Sequence, residues 1–196
     1  MTALPDDLHE LERALLDAIL AIPPGSGHDD AGDDVPLAGI FAAQIESRNL
    51  DHTARWLRAD GRGFYTIGSA GHESNAAVAA ALRITDPALL HYRSGGFYCA
   101  RAAQQPGHDA VTDVLAGVLA LREEPIAGGR HKVFGHPALA VIPQTSTIAS
   151  HLPRALGVAF SIGRSTRLGI TGPWPRDALA VCSFGDASAN HSTAQG

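Results

Sequence analysis

The run DALAVCSFGDAS (177–188) constrains this chain more than any other stretch. Its apolar part is nearly continuous through Phe184, the pattern of a strand buried on both faces of a parallel sheet. It stops abruptly at Gly185-Asp186. In open α/β sheets, ligands sit beyond the carboxyl ends of the strands. A glycine there lets the backbone turn sharply or approach a ligand closely, and the carboxylate after it projects from the sheet edge. If a helix follows, its first amides attract an anion beside that carboxylate. The two features conflict for a lone anion. They agree for a phosphate held through a divalent cation, with Asp186 gripping the metal. The alternative is that Asp186 simply caps the next helix.

Helical patterns alternate with such strand candidates, which indicates an α/β domain with a parallel sheet. Leu8, Leu11, Leu15 and Ile19 recur at helical spacing, so residues 1–22 are expected to form a helical arm. Residues 23–35, containing PGSGHDDAGDD, are expected to be an acidic linker. The main domain spans 36–196. Within it, a long helix ending at Gly61 is expected to bury Leu37, Ile40, Phe41 and Ile45 on one stripe. HESNAAVAAAL (72–82) reads as a helix, and ALLHYR (88–93) as a short strand. One helix is expected after Gly95-Gly96 to about Ala103, and another from about Ala110 to Leu121. Residues 123–147 lack periodicity, and a loop of that length is usually functional. A further helix begins near Pro153, since proline suits a first turn.

Composition narrows the function classes. The chain of 196 residues is 45% hydrophobic with a formal net charge of −5. That balance argues against a nucleic-acid binder, which needs clustered Lys and Arg to neutralise phosphates. No window approaches the roughly 18 apolar residues of a membrane span. Cys99 and Cys182 are too few for a disulfide scaffold, and Cys182 is expected to be a buried free thiol. The N-terminus carries Asp6, Asp7 and Glu10 where a secretory signal carries bases. A cytoplasmic protein is the default expectation.

Five segments in fixed order carry a resemblance. They are ESRNLDHTARWLRADGRGFYTIGSAGHESNAAVAAALR, HYRSGG, GGRHKVFGH, TSTIASHLPRALGVAFSIG and AVCSFGDAS. Together they resemble the N-terminal half of the α subunit of thiamine diphosphate-dependent 2-oxo acid dehydrogenases, the branched-chain and pyruvate type. The likeness covers most of residues 40–196. It implies a thiamine diphosphate-binding α/β fold, a parallel sheet flanked by helices, incomplete at the C-terminus.

The resemblance also implies roles for particular residues. Gly185, Asp186, Ala187 and Ser188 occupy the family's metal-diphosphate corner, with Asp186 as the Mg²⁺ ligand; Ala187 departs from the usual glycine. Tyr92 and Arg93 match a pair that contacts the diphosphate, for which a guanidinium fork is well suited. Ser94 stands where an acid is common. Ser146 and Ile148 fall in a segment that supports the cofactor's centre, with Ile148 as the aliphatic wedge between its rings; ordinary core packing is the other reading of Ile148. His131, His136 and His151 lie in or beside the long loop. Imidazoles there suit proton transfer near neutral pH, and His131 and His151 are the catalytic candidates. A zinc cluster of the three lacks cysteines at ligand spacing. Glu73 reads as a first-turn structural acid, the activating glutamate being expected from a partner β half.

The activity implied is decarboxylation of a small 2-oxo acid and transfer of its acyl group to a lipoyl arm, chemistry that belongs to the cofactor. A β subunit or β-like domain, a lipoyl-bearing acyltransferase and an oligomeric state follow from the resemblance. So does an expectation that this chain holds part of the site and is inert alone. Two other readings stand beside it: a transketolase-like enzyme using the same cofactor, and a non-catalytic assembly fragment. A serine hydrolase fits poorly, because IGSAG (67–71) lacks the first glycine of a nucleophile elbow.

Overall fold

Small side chains set how closely the helices of this chain approach. A computed structural model describes residues 10–21, 23, 36–64, 67–124, 126, 128–130 and 133–196. The chain divides into two units, Met1–Val35 and Pro36–Gly196. In the first, α1 runs Glu10–Leu20; Leu8 and residues 24–35 of the expected linker lie outside the described residues. Among the described residues, no helix is long and apolar enough to cross a membrane.

The second unit begins with α2 (Leu37–Ala59), which buries Ala43, Ser47, Leu50, Ala54 and Leu57. That is a different face from the expected stripe. Leu37, Phe41 and Ile45 are exposed, and only Ile40 packs in part against the core. The reason is the neighbour: α2 lies against α4 (Gly95–Ala103), and close helix contact favours Ala and Ser over large apolar residues. Of the exposed side chains, Phe41 and Ile45 line an open groove with Val111 and Leu115.

Helix α3 (Asn75–Ala80) is shorter at both ends than its alanine-rich sequence suggests. Helix α5 (Ala110–Val118) starts where Asp109 Oδ1 accepts the amides of Val111 and Thr112, the bond pattern of a favourable N-cap. The long loop carries a 3₁₀ turn at Pro137–Leu139. It is followed by α6 (Leu152–Leu168), with Pro153 in its first turn. Two four-residue helices, α7 (Asp186–Ala189) and α8 (Ser192–Gln195), come last.

The sheet is small and parallel: β1 (Ala88–Leu89) pairs with β2 (Val181–Cys182). The amides of Val181 and Ser183 donate to the carbonyls of Pro87 and Leu89 at 2.8 and 3.0 Å. On the other side of β1, Val141 forms a parallel bridge with Ala88. β1 is thus fully buried, as are the residues flanking it. β2 is not buried on both faces as expected: Val181 and Cys182 are half-buried, while Leu179 and Phe184 are exposed. It has a strand partner on one side, and α6 packs against it. Cys182 is a free, half-buried thiol whose pKa burial pushes up to about 11.

A buried polar knot fixes the starts of both strands. Asp86 accepts from the Arg83 amide and guanidinium and from the Leu179 amide at 2.9 Å. Arg83 also reaches Asp177 at 2.8 Å. Arg101, fully buried on α4, donates through Nη1 to the carbonyls of Ile84, Asp86 and Leu139. Its guanidinium lies over the Phe97 ring, 5.1 Å from the centroid. These bonds join the segments before β1 and β2 to α4 and the 3₁₀ turn.

Gly96 permits the tight seat of α4. A Cβ there would meet the Glu73 carbonyl oxygen at 2.8 Å, whereas at Gly39 it would meet open space. Gly96→Ala is therefore expected to destabilise the protein by about 1–3 kcal/mol through overpacking. Gly39→Ala, in a helix, is expected to be neutral or to stabilise by up to about 1 kcal/mol. Urea unfolding of both variants checks this contrast, and equal effects would refute it.

Candidate functional site at the strand ends

Because β1 and β2 run parallel, their carboxyl ends open at one edge of the sheet. From β1 the chain continues through His91, Tyr92, Arg93 and Ser94 into α4; from β2 it continues through Ser183, Phe184 and Gly185 into α7. One bond links the two exits directly, Ser94 Oγ to Ser183 Oγ at 2.8 Å. A third segment joins them: His151, at the start of α6, places Nε2 2.7 Å from the Ser183 carbonyl oxygen. A carbonyl only accepts, so Nε2 carries the proton. A fourth arrives through Arg93, whose Nη1 donates to the Gly68 carbonyl at 2.8 Å. Ser69, next to it, is held on α2: Asp51 accepts its amide at 2.7 Å, and its hydroxyl lies 2.7 Å from Ser47 Oγ.

The structure therefore brings four sequence-predicted segments to one sheet end. Asp186 is exposed and is the first residue of α7 rather than its cap; Gly185 occupies the cap position without a side-chain bond. Ala187 is exposed beside it and Ser188 is buried. Gly185 has φ −87° and ψ 165°, a conformation open to any residue. Its lack of a side chain matters for space, since a Cβ there would lie 3.3 Å from His91 Nε2.

Tyr92 and Arg93 are half-buried, the guanidinium 5.4 Å from the Tyr92 ring centroid. Tyr92 lines a cleft with Asp51, Ile67, Ser69 and Gly95. One of the five N–H donors of Arg93 is engaged by Gly68, and a planar fork suits phosphate oxygens. Ile148 is 41% exposed, so core packing is not its role. Ser146 is half-buried in the same turn. The turn is built by Ser150, whose hydroxyl donates to the Thr147 carbonyl at 2.9 Å, and by Ala149. Ala149 is fully buried with φ +61°, a left-handed conformation that costs a non-glycine residue on the order of 1 kcal/mol.

The two catalytic candidates fare differently. His131 lies outside the described residues. His151 is almost fully buried, its Nε2 fixed on Ser183 and its Nδ1 buried with no hydrogen-bond partner. That arrangement makes it a strut between α6 and β2. Glu73, the expected structural acid, pairs with Arg48 at 2.6 Å.

His91 is the residue that sequence reasoning passed over. It is buried beneath Gly185, its ring stacked on His72 at 5.6 Å and tilted against Tyr92 at 3.9 Å between centroids. Its Nδ1 accepts the Arg93 amide at 3.3 Å. Ser183 was also unmarked, and Ser94 was noted only as standing where an acid is common; the available signal was their position just past two apolar runs that pair. Chemically, the loops that leave the two strands carry one exposed carboxylate, Asp186, one guanidinium, Arg93, and one phenol, Tyr92. Compared with models of known protein families, the chain matches none.

Burial, with the charges of His72, Arg93 and His151 added, pulls the His91 pKa down to about 4. In the unfolded chain a histidine titrates near 6.5. Between these values the unfolded state binds more protons, so stability rises with pH across that window. The contribution of His91 is expected to be complete above about pH 6.5 and to fade as pH falls toward about 4. Urea melts from pH 4 to 7 on the wild type and His91→Gln check it. An unchanged slope in the variant would count against this assignment.

Proposed function

We propose that this chain binds thiamine diphosphate with Mg²⁺ at the strand-end edge and contributes the α-type half of a 2-oxo acid dehydrogenase site, of branched-chain or pyruvate type. In this reading the two-stranded parallel sheet is part of a thiamine diphosphate-binding fold. The observation that carries the proposal is the Ser94–Ser183 bond between the exits of adjacent parallel strands. It draws the loops bearing Arg93 and Asp186 to one edge, where an anion and its counter-cation would both find a partner.

Asp186 would hold the metal, and the amide of Ala187 would lie beside the diphosphate, that of Ser188 being engaged by the Gly185 carbonyl at 3.0 Å. Arg93 and Tyr92 would bind diphosphate oxygens, with Arg93 steadied by Gly68. Ser146 and Ile148 would support the cofactor's centre, the exposed Ile148 side chain excluding water from its apolar face. His91, neutral above about pH 4, leaves the positive charge at the edge to Arg93. When bound, the cofactor supplies the carbanion chemistry that decarboxylates a 2-oxo acid and passes the acyl group to a lipoyl arm.

A β subunit or β-like domain is proposed to complete the site. Leu156 and Phe160, 72% and 68% exposed on α6, support a covering partner. The same exposed face favours the second reading, an assembly role without catalysis.

Calorimetry with thiamine diphosphate and Mg²⁺ separates the two. Binding that requires Mg²⁺, and that Asp186→Asn and Arg93→Ala each weaken by about tenfold or more, is expected from loss of charge-assisted bonds. No binding by the wild type, or equal binding by the variants, would overturn the cofactor reading and leave the assembly role. Substrate profiling with a β partner then distinguishes a 2-oxo acid dehydrogenase from a transketolase-like enzyme.

A further inference from the structure

A second cluster, sharing no residue with the strand-end edge, gathers His108, Asp113 and His136. Nothing in its spacing announces it, because the residues come from three structural contexts. His108 follows the turn after α4, Asp113 sits one turn into α5, and His136 caps the 3₁₀ turn of the long loop. His108 Nε2 lies 2.8 Å from Asp113 Oδ2, their side chains only 11% and 13% exposed. The His136 ring meets the His108 ring edge-on, 4.4 Å between centroids. One ligand atom from each residue lies within 4.8 Å of the other two.

A histidine–carboxylate pair alone needs no second imidazole. Two imidazoles and a carboxylate gathered at this spacing form a metal-ligand set. The carboxylate is also held from behind. Tyr98, fully buried on α4, donates its hydroxyl to Asp113 Oδ2 at 2.6 Å, and its ring stacks on Phe134 at 5.2 Å. Both bonds to Asp113 fall on Oδ2, and a carboxylate offers about four lone-pair sites. An outer partner that orients a ligating carboxylate is a recurrent feature of metal sites.

We propose that His108, Asp113 and His136 bind one divalent transition-metal ion of the zinc class, with water completing the coordination. Two imidazoles and one carboxylate suit Zn²⁺ or Co²⁺, whereas Mg²⁺ selects oxygen ligands. Zinc–ligand bonds of about 2.0–2.2 Å require ligand atoms roughly 3.3–3.5 Å apart in a tetrahedron. The widest pair, up to 4.8 Å apart, must therefore close by up to about 1.4 Å, while His108 Nε2 and Asp113 Oδ2, now 2.8 Å apart, must open by about 0.6 Å or the metal must take Oδ1. His136 Nδ1 accepts the Ala138 amide at 3.2 Å. A metal on Nδ1 would compete with this long bond, whereas Nε2 of the same ring would bind without displacing it. Once bound, the ion would join the start of α5 to the segment whose Val141 bridges to β1.

The test uses the full untagged chain, titrated with Co²⁺ and followed by its visible ligand-field absorption, then displaced by Zn²⁺. One ion per chain, unaffected by millimolar Mg²⁺, with a Zn²⁺-dependent rise in Tm, is the expected result. His108→Gln and His136→Gln are each expected to weaken Zn²⁺ by about 100-fold or more, and Tyr98→Phe by about tenfold. Absence of both the Co²⁺ absorption and the Tm shift in the wild type would overturn the proposal. So would affinity that survives both histidine substitutions, since the ion would then sit elsewhere. Thiamine diphosphate binding is measured separately in Mg²⁺, so either result stands without the other.

Discussion

The polar knot of Asp86, Arg83 and Arg101 is the constraint on which the strand-end edge depends. Arg101 is buried with part of its guanidinium unpartnered, an arrangement with a real desolvation cost. What it secures is register. Its Nη1 bonds to carbonyls from both sides of the turn before β1 and to Leu139, while Asp86 pins the Leu179 amide that leads into β2. With two-residue strands, ladder bonds alone are too few to fix the pairing. The knot sets where each strand starts, and so sets which residues emerge together at the far end. Burial pushes the Asp86 carboxyl up, but the bonds from Arg83 and Leu179 outweigh it and hold the group below the usual carboxylate range.

Helix existence was largely legible in the sequence, and helix phase was not. The stripe of Leu37, Ile40, Phe41 and Ile45 has sound helical periodicity, yet α2 buries the face with Ala43 and Ser47. Hydrophobic spacing reports that a face is apolar; it does not report how near a neighbour must come. The glycines after Ser94 show the same effect. They read as a loop before a helix, and the structure makes them its first turn, packed against α2 and Glu73. Within the expected strand DALAVCSF (177–184) only Val181–Cys182 pairs as a strand, and its double burial was inferred from composition, which does not count its neighbours.

The candidate site was legible where its residues are adjacent in sequence to an apolar run, as with Arg93 and Asp186. It was opaque where function depends on a bond across the fold. His151 was a catalytic candidate beside a long loop, and its bond to the Ser183 carbonyl buries it between α6 and the exit of β2. His91 looked like an ordinary strand residue, and Gly185 above it explains that glycine through contact rather than through φ and ψ. The cluster of His108, Asp113 and His136 offers two imidazole nitrogens and a carboxylate, while the edge offers oxygen ligands and a guanidinium.

The left-handed alanine at 149 bears on the side chain just before it. Ile148 has few neighbours to hold it, so its direction is set by the main chain: Ala149 is locked in an uncommon conformation, and bonds from Ser150 and Leu152 close the turn. An exposed wedge aimed in this way has already lost much of its backbone freedom before anything docks on it. The ordering cost that usually accompanies the capture of an apolar surface is, at this position, part of folding.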